Sequence, residues 1–291
     1  MTAAAAPAAL DLDHLRKWIG RTHESTDTIT AQMVRGLRAT FFLDIGNPVK
    51  GDPAPLAIHW CLAPQVAPMS EIGPDGHPAR GGFLPPVPLP RRMWAGGKTD
   101  FRDALRVGDD VRKVSKIVDV QLKTGSTGTL CFVTLDHSFS TSRGEAVFER
   151  QDVVYRDNPP PGGNKTSTSA TATSAPQPQH QKKLTADPVL LFRYSALTFN
   201  GHRIHYDRPY VTEVEGYPGL IVHGPLQASL LLEYAIALRG KLPKTFTHRG
   251  VSPLFDGAEF ALNAKESSDG GLELWTANSA GAPTMKASAS W

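Results

Sequence analysis

Cysteine is scarce in this chain: Cys61 and Cys131 are the only two among 291 residues. They are far apart and show no Cys-x-x-Cys spacing, which excludes a disulfide-built scaffold and a cysteine-rich zinc site. Cys131 sits in the apolar run Leu130-Cys131-Phe132-Val133 and reads as a core residue. Long apolar runs are missing too. The longest strongly apolar stretch, 230–238, is interrupted by Glu233 and is too short to cross a bilayer. The opening residues carry neither the basic n-region of a secretory signal nor the arginines of a transit peptide. A cytoplasmic location with no membrane partner is therefore the expectation. Charge of one sign is also missing. Lys and Arg number 31 against 28 Asp and Glu, a net +3. No basic stripe stands out, so nucleic acid is not an expected partner. The mild excess, with a pI near 8.8, suits small anionic ligands.

What is present is ordinary globular material: 40% hydrophobic and 20% charged residues, enough for a buried core. One stretch departs from it. Residues 157–183 read DNPPPGGNKTSTSATATSAPQPQHQKK, rich in Pro, Ser, Thr and Gln and almost without bulky apolar side chains. Such a segment buries too little surface to offset the entropy of ordering. It divides the chain into a first half, 1–156, a linker, 157–184, and a second half, 185–291.

Both halves read as mixed α and β. Residues 13–19 and 30–37 suit helices, with Thr28 or Thr30 as cap of the second. Three β-rich runs follow at 111–122, 129–138 and 145–155, punctuated by Gly125, Gly128 and the 142–144 turn, which is an antiparallel meander. The second half ends in strands at 258–264 and 272–277. Its last run alternates Met285, Ala287, Ala289 and Trp291 with Lys286, Ser288 and Ser290, the period-two signature of a half-buried strand. Before them a helix starts at Gly224-Pro225, with Leu226, Leu230, Tyr234 and Ala237 on one face. Proline is favourable there, because its missing N–H was an orphan anyway.

Chemistry concentrates in two segments. Residues 193–210 read RYSALTFNGHRIHYDRPY, a polar density unusual for a core. Residues 216–227 read GYPGLIVHGPLQ, a tight backbone path straight into the helix. A helix N-terminus stabilises an anion through its free N–H groups; Pro225 has none, so Gly224 or Leu226 must donate. A lone histidine is more often structural than catalytic, so His205 needs a context. His202 and His205 form an HxxH pair, but no third ligand stands at a sensible spacing, and no metal is expected. His223 reads as structural, positioning the turn before Gly224. Arg91 and Arg92, in a proline-fixed, tryptophan-flanked loop, are either a solvated turn or a carboxylate or phosphate receptor. Trp60, Trp94 and Trp275 read as core.

These two segments together resemble the MaoC-like, R-specific hydratase branch of the hot-dog proteins. That family carries a Gly-Asp-x-Asn-Pro-x-His motif and then a central helix entered through His-Gly. Asn200 falls where the family has Asp, and His205, five residues on, falls on the family His. Gly224 falls on the glycine that supplies the oxyanion donor. The form Phe-Asn-x-His-Arg-Ile-His-Tyr-Asp resembles the type 2 hydroxyacyl-thioester dehydratases and the mesaconyl-CoA (3-methylfumaryl-CoA) hydratases. In the first half, GGFLPPVPLPRRMWAGG at 81–97 is similar to the mesaconyl-CoA hydratase group, as are 57–64 and 151–156.

The resemblance implies an α+β double hot-dog fold, two antiparallel sheets each wrapped around a central helix, with the second half catalytic and the first shaping the acyl pocket. It implies a hydro-lyase acting on mesaconyl-CoA to give citramalyl-CoA, or the reverse. CoA would be part of the substrate and no separate cofactor is called for. A fatty-acid-synthesis 3-hydroxyacyl-thioester dehydratase, an itaconyl-CoA hydratase, a non-catalytic acyl-CoA-binding hot dog and a homodimeric state all stay open. His205 and Asn200 are the expected catalytic pair, Gly224 and Leu226 the expected thioester-oxygen donors. Arg91, Arg92, Arg203 and Tyr206 are the expected substrate contacts. Histidine suits acid–base work because its ordinary pKa lies near neutrality. Asn200 is a departure: an amide orients water but cannot take a proton. The part of Asp207 stays undecided.

Overall fold

The computed structural model describes residues 10–125, 128–157 and 177–291. The first half holds β1 (Thr22–Thr28), β2 (Arg91–Phe101), β3 (Asp110–Gly125), β4 (Gly128–Thr141) and β5 (Gly144–Arg156). The second holds β6 (His180–Thr185), β7 (Thr245–Gly250), β8 (Glu259–Glu266), β9 (Leu272–Ala277) and β10 (Pro283–Ser290). Among the described residues four α-helices accompany them: α1 (Leu12–Arg16), α2 (Ala31–Thr40), α3 (Pro188–Thr198) and α4 (Gly224–Arg239). The strands form one sheet in the order β1-β3-β4-β5-β2-β7-β10-β9-β8-β6. The second five repeat the path of the first five, so the two halves share one topology without any visible sequence repeat. Antiparallel pairing of β2 with β7, from Gly96↔Arg249 to Asp100↔Thr245, joins the two expected sheets edge to edge.

Local sequence explains much of this. In β4 the side chains of Cys131, Val133, Leu135, His137 and Phe139 alternate inward, as a period-two strand requires. Thr30, not Thr28, caps α2 by accepting from the Met33 N–H at 3.1 Å. The one-face reading of α4 needs correction. Leu226 through Leu232 are all buried, and Ala237 is exposed. α4 is enclosed on every side because the sheet wraps around it, so its first turns carry no solvent face. Its core also takes in Val34 and Leu37 of α2 and Leu56 and Ile58 of the turn Leu56–Cys61. The linker boundary moves too. Residues 180–185 are β6, paired with β8 along the sheet's outer edge. Polar strands at an edge escape a composition-based reading because only one of their faces meets the core. Residues 158–176 of that stretch lie outside the described residues. Arg91 and Arg92 begin β2 instead of lying in a loop. Cys61 and Cys131 are both free and buried. Among the described residues no helix is long and apolar enough to cross a membrane.

Ionisable groups are buried in this core. Burial pushes the Glu149 carboxyl up to about 7, against the pull of the Trp60 indole N–H that it accepts and of Lys113. Burial pushes His59 and His248 down to about 3, and His137 down to about 4. The two kinds act in opposite pH windows. Between pH 4.5, the ordinary value, and about 7 the folded state holds a proton on Glu149 that the unfolded chain has released, so this stability is lost as pH rises. Below pH 6.5 the unfolded histidines take protons that the folded ones refuse, so stability is lost as pH falls. Glu149→Gln should therefore remove a negative contribution to the slope of stability against pH between about 5 and 7, worth up to about 1.4 kcal/mol per pH unit and read from denaturant unfolding at a series of pH values. A slope equal to that of the parent would place the ionisation elsewhere.

Candidate active site

The polar segment begins inside α3. Asp187 caps that helix, accepting from the Leu190 N–H at 2.7 Å, with Pro188 in the first turn. The helix ends on Phe199, held in the left-handed region at φ 50°. Such a conformation is uncommon without glycine and marks a chain forced to turn sharply. The turn delivers Asn200, whose Oδ1 accepts from the His202 N–H at 3.0 Å. A short 3-10 turn, Arg203–His205, then carries the catalytic candidate into the core.

His205 is 6% exposed. Its Nδ1–H donates to the Ile221 carbonyl at 2.7 Å, which fixes the tautomer and leaves Nε2 as the basic atom. The Ile221 carbonyl is held in turn, since the Ile221 N–H donates to Ile204. Burial drives the His205 pKa down to about 4, although the Ile221 bond raises it. The imidazole is therefore neutral at pH 7, with Nε2 unprotonated. His223 stacks on it with ring centroids 3.6 Å apart and bonds through Nε2 to the Ser195 hydroxyl at 2.8 Å. His223 thus orients the imidazole and starts α4, as expected of a structural residue.

Directly after His223 comes the start of α4, which no side chain caps. The free N–H groups and positive dipole end of this helix start thus lie next to the His205–His223 stack. A Cβ on Gly224 would stand 2.8 Å from Cε3 of Trp94, so only glycine admits the indole there. Trp94 belongs to β2, stacks on His248 at 4.2 Å, and packs, partly buried, against the core. The first half thereby reaches into the second half's site.

The arginines separate. Arg91 donates to the Tyr217 hydroxyl at 2.9 Å and the Glu215 carbonyl at 2.8 Å, and pairs with the Glu215 carboxylate at 3.4 Å. It ties β2 to the second half. Arg92 lies beside the Tyr155 hydroxyl and stands near enough to His77 and His202 to oppose their protonation. With Tyr155 it lines a small cleft walled by residues 78–85. Arg203 is engaged by Asp207 at 2.7 Å and by the Pro74 carbonyl at 3.0 Å. Asp207 also accepts from the Tyr210 N–H, so it holds the loop and does not face His205. Tyr206 donates to the Gly201 carbonyl at 3.1 Å and is half exposed.

Sequence reasoning missed Asp75 and His77. They lie in the loop Gly73-Pro74-Asp75-Gly76-His77-Pro78, which reads as a plain turn. The structure lays that loop on the 200–203 turn, backbone against backbone. By spacing the HxxH pair is expected to find no third ligand; the loop instead brings ligand-capable atoms of Asp75, His77 and His202, without His205, within 4.8 Å of one another. In this cluster the Asp75 carboxylate and His77 Nδ1 already bond each other at 3.1 Å.

Comparison with known proteins shows the family and the fold. The model of the family "hydroxyacyl-thioester dehydratase type 2" matches residues 57–256. A mesaconyl-C(4)-CoA hydratase from Chloroflexus aurantiacus is 41% identical over 252 residues, covering 87% of this chain and 89% of that protein. A MaoC-like dehydratase from Phytophthora capsici superposes with a TM-score of 0.68 at 15% identity, over 97% of this chain and 99% of the other. A Mycobacterium tuberculosis protein with a double hot-dog fold superposes with a TM-score of 0.52 at 14% identity, over 93% and 95%.

Proposed function

Because the chain belongs to the hydroxyacyl-thioester dehydratase type 2 family, we propose that it is a hydro-lyase that adds water across the double bond of mesaconyl-CoA to give citramalyl-CoA, or removes it. The observation that carries this is His205: a buried imidazole pinned at Nδ1, beside an uncapped helix start. Hydration is redox-neutral and asks for an acid–base group, an oriented water and donors for the thioester oxygen. His205 Nε2 takes the proton from water as its oxygen attacks the β-carbon. The charge that builds on the thioester oxygen falls to the N–H groups of Gly224 and Leu226. Asn200 orients the water. The first half shapes the acyl pocket through Trp94 and Arg92.

The free carboxylate of a dicarboxylic acyl group favours Arg92 over Arg91, because Arg91 already answers Glu215 and Tyr217. Arg92→Met should raise KM more than it lowers kcat, since such binding is similar in ground and transition states. Arg91→Met should instead lower the thermal midpoint. Equal KM in parent and Arg92→Met would remove Arg92 from the acyl pocket. Asn200→Ala should damage turnover by freeing the His202 N–H, whereas Asn200→Asp keeps an acceptor and should retain measurable activity. An absorbance assay against mesaconyl-, itaconyl- and crotonyl-CoA tests the substrate directly. Preference for crotonyl-CoA would point to the fatty-acyl dehydratase alternative.

A further inference from the structure

The loop 73–80 brings ionisable groups beside His205 that the mechanism above does not use. Asp75 accepts twice from His77, at Oδ2 from the ring at 3.1 Å and at Oδ1 from the backbone N–H at 3.0 Å. A carboxylate on Nδ1 fixes the ring, stabilises its imidazolium and leaves Nε2 as the working atom. The His77 ring lies 4.1 Å, centroid to centroid, from His202, which stands edge-on to His205 at 5.4 Å. The docking is locked. Arg203 N–H donates to the Asp75 carbonyl at 2.9 Å, and glycines 76 and 201 let the two backbones touch. The loop therefore places a carboxylate–imidazole unit next to a motif whose own carboxylate position is Asn200.

Resting on the hydratase reading above, we propose that His77, oriented by Asp75, is the second acid–base residue of the site and gives the α-carbon its proton. The balance is as follows. Water oxygen bonds to the β-carbon, one water proton goes to His205 Nε2, and the double-bond electrons move to the thioester oxygen. That enolate then collapses, and the α-carbon takes the proton from Nε2 of the His77 imidazolium. His205 ends protonated and His77 neutral, and transfer through His202, which lies between them, restores both. In the reverse direction His77 takes the α-proton. Asp75 and Arg80 from the loop, Arg92 from β2, and His202 and His205 from the motif surround His77. Burial disfavours its charged form, and so do Arg92 and Arg80. An acyl carboxylate seated at Arg92 offsets that cation, so a dicarboxylic substrate favours the imidazolium its own hydration needs.

The test uses the full chain and compares His77→Gln, His77→Asn, Asp75→Asn and His205→Ala. Both His77 variants should lose about 10²-fold or more in kcat with KM within about threefold. They should lose α-proton exchange of citramalyl-CoA with D2O in parallel, while the thermal midpoint holds. Asp75→Asn should lose about tenfold, and it judges the idea alone if the His77 variants fail to fold. A kcat within about threefold of the parent in both His77 variants, or in a lone Asp75→Asn, would overturn the assignment. So would a loss confined to KM, or parent activity abolished by a chelator and restored by Zn2+, which would make the cluster a metal site. Inactive His205→Ala beside active His77→Gln overturns this inference and leaves the hydratase reading standing. A parent inert to every enoyl thioester overturns both.

Discussion

His205→Ala should lose about 10² to 10⁴ in kcat, the usual contribution of a positioned acid–base group, with KM little changed. No neighbour replaces it as water's base. His223 is tied to Ser195, and Asp207 is tied to Arg203. The pH profile of kcat/KM is the finer measurement. An ordinary histidine would give an acidic limb near neutrality, but burial brings His205 down to about 4. Activity should therefore rise between about pH 3 and 5, and the variant should lose that acidic limb, while the fall on the alkaline side belongs to the His77 imidazolium proposed above. Removing the imidazole also leaves the Ile221 carbonyl without its donor, so a small drop in thermal midpoint, worth about 1 kcal/mol, should accompany the loss. A variant that keeps more than about a tenth of the parent kcat would move the base to another residue.

Gly76→Ala should nearly abolish turnover although Gly76 has no side chain to do chemistry. It sits at φ 87°, a conformation that costs other residues about 1 to 2 kcal/mol. An added Cβ would be driven into the Gly201 carbonyl, and backbone cannot step aside as a flexible side chain would. The loop must lift from the motif turn, taking with it the Arg203 bonds to Pro74 and Asp75. A displacement of about 1 Å in such a site costs on the order of 10² in rate. The expected result is a kcat/KM lowered about that much with a thermal midpoint lowered by only a few degrees, because the loop lies outside the sheet. Parent-like kinetics would show that the motif turn holds its shape without the loop.

Much of the candidate catalytic segment was legible in the sequence. His205 stands five residues after Asn200, and Gly224-Pro225 opens the helix. Strands β3, β4, β5, β8, β9 and β10 followed from alternation and turn residues. Each of these signals is local: a period, a cap or a turn depends on neighbours a few positions away. The strands that escaped, β1, β2, β6 and β7, are mostly polar or carry glycine, so alternation is weak in them. All four hold positions that local pattern does not encode: β1 and β6 close the ends of the sheet, and β2 and β7 form its seam.

By itself, then, the sequence determined the meander, the helix entry and the histidine motif, because short-range sterics and hydrophobic period specify them. Only the tertiary structure decided which arginine is engaged, since Glu215 and Tyr217 meet Arg91 across the two halves. Only it enclosed α4 on all sides and set Trp94 against Gly224. And only it laid Asp75 and His77 beside His202, because contact between two loops distant in the chain is fixed by the β2–β7 seam and by the packing of the sheet, which no local residue pattern records.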